Sequence, residues 1–70
     1  MVEKTIALTG ISANSIEDAV ALAVARAGVT ISGIHTADVV ETSAAIENGK
    51  VVRWKVKVRL TFLVKDQLHE

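Results

Sequence analysis

Residues 47–64 read ENGKVVRWKVKVRLTFLV, and their pattern decides the fold. Asn48-Gly49 is the residue pair that a two-residue hairpin turn demands, because both central positions need positive φ. Beyond the turn, the even positions from Val52 to Val64 are Val, Trp, Val, Val, Leu, Phe and Val. The odd ones are Arg53, Lys55, Lys57, Arg59, Thr61 and Leu63. Such alternation specifies a long strand with one apolar and one polar face. Its partner before the turn is GIHTADVVETSAAI, residues 33–46.

A turn at Asn48-Gly49 makes paired residue numbers sum to 97. The polar face then sets Thr36 against Thr61, Asp38 against Arg59, Val40 against Lys57 and Thr42 against Lys55. Asp38 facing Arg59 suits a cross-strand ion pair. The same register strands Glu41 on the apolar face opposite Val56, where a carboxylate is costly. One inserted residue, a bulge near Val39-Val40, moves Glu41 to the polar face, and that bulge is expected.

Upstream, VEKTIALT at residues 2–9 alternates as a first strand that Gly10 ends. Ser15 followed by Asp18 has capping-box spacing, and Glu17 and Asp18 suit the positive end of a helix. The helix is predicted over residues 16–27, stopping at Gly28. Ile16, Val20, Ala23 and Ala27 form its buried stripe, while Leu22 and Val24 point well away. One sheet covers one side of a helix, so apolar residues on the other sides imply cover from a second copy of the chain. A helix between the first two strands suits a parallel pair with a right-handed crossover. The third strand then fits between them, antiparallel to both.

Seventy residues make a single domain, 1–70, whose core is small enough that assembly is an expected source of stability. Without cysteine there is no disulfide framework or thiolate site. No apolar run approaches the roughly 18–20 residues that span a bilayer, and the N-terminus lacks a signal-peptide pattern. A soluble, cytoplasmic protein without membrane contact is expected. Eight basic residues balance eight acidic ones. That neutrality argues against a nucleic-acid partner, even though Arg53, Lys55, Lys57 and Arg59 offer an anionic partner a stripe. No nucleophile–base arrangement or phosphate loop is visible, so the chain does not read as an enzyme. His35 is expected to point inward toward Phe62, Trp54 to pack the helix, and His69 to be an isolated histidine of the tail.

LTG at 8–10, S-x-x-S-x-x-x-A from Ser12 to Ala19, RA at 26–27, AxVV at 37–40 and the alternating last strand together resemble the dodecins. The resemblance runs over essentially the whole chain. It implies an α+β, βαββ fold with a three-stranded antiparallel sheet wrapped around one helix. It also implies a hollow homododecamer, built through trimers, that stores a small ligand. Dodecins bind flavins such as FMN or riboflavin in pairs at a subunit interface, stacking the ring on a tryptophan and bonding its edge to a glutamine. Thr36 stands at the tryptophan position and Lys55 at the glutamine position, with Asp38 and Lys57 on the same face. Thr36 offers no π face, and Lys55 only donates. Coenzyme A-type nucleotides are another ligand class for such a shell. Some dodecin-like proteins without that tryptophan are associated with calcium. Glu41 and Asp38 are the candidate ligands here, with Thr36, Thr42 and Glu47 as further oxygens.

Overall fold

The computed structural model describes residues 1–64, so His69 lies outside the described residues. The order is β1 (Val2–Ser12), α1 (Ile16–Gly28), β2 (Ile34–Glu47) and β3 (Lys50–Val64). The sheet runs β1-β3-β2, with β3 antiparallel to both neighbours. The turn forms as the residue types require, with φ of 54° at Asn48 and 75° at Gly49.

The β2–β3 register departs from a plain ladder in three places. Val52 is unpaired on β3, and Val40 and His35 are unpaired on β2. The first two cancel, so Thr36 meets Thr61 and Asp38 meets Arg59 as a sum of 97 predicts. Between them the register differs from the expectation: Glu41, not Val40, meets Lys57, and Ser43, not Thr42, meets Lys55. The unpaired Val52 shifts the register so that Glu41 meets Lys57 on the polar face, and the unpaired Val40 restores it beyond Glu41. Thr42 instead pairs with the fully buried Val56, on the face turned away from Glu41.

Gly10 does not end β1. The strand continues to Ser12, and at Gly10 its backbone lies close against the helix. A Cβ there would stand 2.0 Å from the Ala19 carbonyl oxygen. Small residues on both elements permit the contact, and the buried stripe of α1 is Ala19, Ala23 and Ala27. Val24 turns partly into the core rather than away, together with Ile16 and Val20, while Leu22 remains exposed. Val56, Val58 and Leu60 complete the core from β3, each contributing about 1.5–3 kcal/mol of burial. Trp54 shares their face, pairing with Ser12 and Ala44, but is half-buried and outside that cluster.

The junction between β1 and α1 explains the serines of the S-x-x-S-x-x-x-A stretch. The Ser15 hydroxyl accepts the Asp18 N–H at 3.0 Å. The Asp18 carboxylate does not reach back to the Ser15 backbone, as a capping box would have it. It accepts from the buried Ser12 hydroxyl at 2.6 Å. Ser12 Oγ in turn accepts the N–H of Asn14 (2.9 Å) and of Ser15 (3.4 Å). Ser12→Ala is therefore expected to cost about 1–3 kcal/mol, against about 1 kcal/mol for Ser15→Ala. Urea unfolding measures both, and equal costs would count against the network.

The helix lies over β1 and β3 and leaves the inner face of β2 largely bare. Val39 is 52% exposed although its partner Val58 is fully buried. The chain measures 58 × 19 × 13 Å, with a radius of gyration of 14.9 Å. A compact chain of this length would have about 11 Å. No helix among the described residues is long and apolar enough to cross a membrane.

Candidate functional site

The polar face of the sheet is laid out in rows across β1, β3 and β2. Thr5, Thr61 and Thr36 form one row, followed by Ala7, Arg59 and Asp38. Next come Thr9, Lys57 and Glu41, then Ile11, Lys55 and Ser43. A shallow depression of about 190 Å³ opens on this face, lined by Thr9, Glu41, Ser43, Lys55 and Lys57. Two ammonium groups, one carboxylate and two hydroxyls give it a formal charge of about +1. Lys57 faces Glu41, but the register partners of Lys55, Ile11 and Ser43, carry no charge. Neither lysine comes within 4 Å of a carboxylate among the described residues, and Lys55 is the one without a charged register partner.

The sequence-predicted residues separate into two groups. Lys55, Lys57 and Glu41 come together. Thr36 lies by Thr61, six positions along β3 from Lys55, or about 20 Å at 3.4 Å per residue. Asp38 falls between and is the register partner of Arg59. The two do not come within 4 Å, and among the described residues the only contact of that kind joins His35 and Glu3. No group of three or more His, Cys, Asp or Glu side chains gathers among the described residues. Thr9 and Ser43 were missed by sequence reasoning. Ser43 enters only because the unpaired Val52 shifts the register by one between the turn and Val40.

His35 also departs from expectation. It does not turn inward toward Phe62, which pairs with Ile34. As an unpaired bulge residue it lies on the polar face, with Nδ1 2.7 Å from Thr36 Oγ1 and Nε2 3.0 Å from Glu3 Oε2.

One helix, three antiparallel strands in the order β1-β3-β2 and an open polar sheet face define a βαββ domain of a specific kind. The chain belongs to the dodecin family, whose sequence model, described as Dodecin, matches residues 2–65. Dodecin from Streptomyces coelicolor is 27% identical, with a TM-score of 0.89 over 94% of each chain. The tt0972 protein of Thermus thermophilus is 27% identical with a TM-score of 0.89, covering 94% of this chain and 97% of its own. The calcium dodecin of Mycobacterium tuberculosis, described as a calcium-chelating antigen with a novel calcium-binding site, is 31% identical. It matches over 100% of both chains with a TM-score of 0.81. No curated protein sequence matches the chain.

Proposed function

We propose that residues 1–70 act as one domain of a cytoplasmic, non-catalytic storage protein. Twelve copies form a closed shell that holds a small anionic ligand at Lys55 and Lys57. Assembly is supported by family membership and by the apolar surface left uncovered on one copy. That surface includes Val39 on β2, Val29 after α1, and an open depression of about 460 Å³ lined mainly by Ile6, Leu8, Ala27 and Ile31. The ligand assignment rests on one observation: the polar-face depression carries excess positive charge, with Lys55 unanswered by any register partner.

A ligand that touches both Thr36 and Lys55 must bridge two copies, since about 20 Å separates those positions in one chain. Calcium is the second reading, favoured by similarity to the calcium dodecin of Mycobacterium tuberculosis. In this chain each candidate carboxylate faces a cation, Glu41 opposite Lys57 and Asp38 opposite Arg59, which opposes a divalent cation at either.

Calorimetric titration of the assembled protein with inorganic pyrophosphate tests the reading. Saturable binding is expected, weakened by added salt. Lys55→Ala should weaken it about tenfold, the low end for a hydrogen bond to a charged group because the site is open to solvent. Saturable calcium binding with no response to pyrophosphate would overturn the anion reading in favour of a cation.

A further inference from the structure

The β2–β3 hairpin outruns everything that supports it. β1 ends at Ser12, the register partner of Trp54, so beyond Trp54 and Ala44 the two strands have no third neighbour. The helix gives no cover there either. It starts beside Ser12, whose hydroxyl bonds Asp18, and runs away from the hairpin tip, passing Gly10 at Ala19 and reaching Ile6 and Leu8 at Ala27. A two-stranded ribbon alone is marginally stable in water and needs another element packed on it. Residues 45–53 therefore form an arm in search of cover.

The inner face of the arm is apolar. Ala44 and Trp54 make one row and Ile46 and Val51 the next. Strict alternation would turn Val51 to the polar face with Arg53. The unpaired Val52 takes up one residue, and Val51 joins Trp54 on the inner side. Ile46 is 57% exposed and Val51 48%. The depression at the far end of α1 has the matching chemistry, with Ile6, Leu8, Ala27 and Ile31 in its lining and Arg26 as its one charged residue. A chain cannot fill its own depression. Val58, the partner of Leu8, lies seven positions along β3 from Val51, or about 24 Å at 3.4 Å per residue.

Charge also fits the two surfaces to each other. Glu47, beside the turn, is the one carboxylate of the arm. Lys50 is its register partner, yet among the described residues neither Glu47 nor Arg26 has an ion-pair partner within 4 Å. Arg53 pairs with Ala45 on the polar face, so it stays in solvent when the inner face is seated.

We infer that the arm of one copy seats Ile46 and Val51 in the depression of a second copy, with Glu47 against Arg26 at the rim. This rests on the assembly reading and names the surfaces that meet. Arm and depression are unlike surfaces, so every copy gives one arm and receives one. Such head-to-tail contacts close into rings when the rotation allows.

The chain has no cysteine, so a thiol pair can be placed on it without background. Arg26→Cys with Glu47→Cys, both at exposed positions, should be joined between copies by a short bismaleimide. Denaturing gels should show bands above the single chain, and peptide mass spectrometry should find the 26–47 link. A second variant tests the apolar contact. Ile46→Asp should raise the concentration at which the particle dissociates, followed by light scattering, about tenfold or more. A particle of wild-type mass without the 26–47 link, or with only 26–26 or 47–47 links, leaves the depression to another occupant and overturns the inference alone. An Ile46→Asp particle that dissociates as wild type does overturns it too. A wild-type protein that scatters as a single chain overturns the assembly reading with it.

Discussion

Gly10→Ala is expected to lower the stability of the chain by about 3 kcal/mol or more and to abolish its assembly. Overpacking a core ordinarily costs about 1–3 kcal/mol, because neighbouring side chains shift to make room. Here the added methyl would meet backbone, at 2.0 Å from the Ala19 oxygen and 2.8 Å from its carbonyl carbon, which cannot rotate aside. The helix would have to lift from β1, and Ala19, Ala23 and Ala27 would separate from Val56, Val58 and Leu60, the buried core among the described residues. Gly28→Ala is the control. Nothing lies within 4 Å of its added carbon, and a helical alanine in place of glycine gains up to about 1 kcal/mol. Denaturant midpoints and light scattering measure both. Wild type should scatter as twelve copies of a 7.4 kDa chain, about 89 kDa. A Gly10→Ala protein with wild-type midpoint and mass would refute the close approach.

Thr36→Trp is expected to raise affinity for riboflavin about 5- to 150-fold, read as quenching of flavin fluorescence. Position 36 is exposed on the polar face, and its present side chain offers only a hydroxyl, which bonds His35. An indole there adds a stacking surface worth about 1–3 kcal/mol per contact. Riboflavin carries no phosphate, so the gain isolates ring stacking from the lysines. An intact particle whose riboflavin quenching does not change would show that position 36 no longer faces the ligand.

Features that put a charge in conflict with a face were legible in the sequence. A register shift near Glu41 could be read because a plain ladder strands that carboxylate opposite Val56. An unpaired residue does fall at Val40, although the shift that moves Glu41 itself is the one at Val52. The Val52 bulge could not be read, since Val51 and Val52 are both apolar and neither is misplaced by an extra residue. The pairs beyond both bulges came out right because the two shifts cancel, while the pairs between them were one residue off. His35 was misread for the same reason as Val52: no conflict of polarity announces a bulge there. Gly10 reads as a breaker when the strand is taken alone. Its meaning as a point of close backbone approach depends on Ala19 and Ala23, which periodicity alone assigns only to the helix. The lysines of the site stood out through alternation. Thr9 and Ser43 did not, because short hydroxyl side chains fit either face of a strand.

The unpaired residues of β2 also bear on how such a surface can change over generations. In a strand, neighbouring residues show opposite sides, so the position of one unpaired residue sets the phase of everything up to the next. Moving that unpaired position by one exchanges which side chain is presented outward and which inward, without substituting either of them. A protein built this way can acquire a new outward side chain through one substitution or insertion that relocates an unpaired residue, with the rest of the strand sequence unchanged.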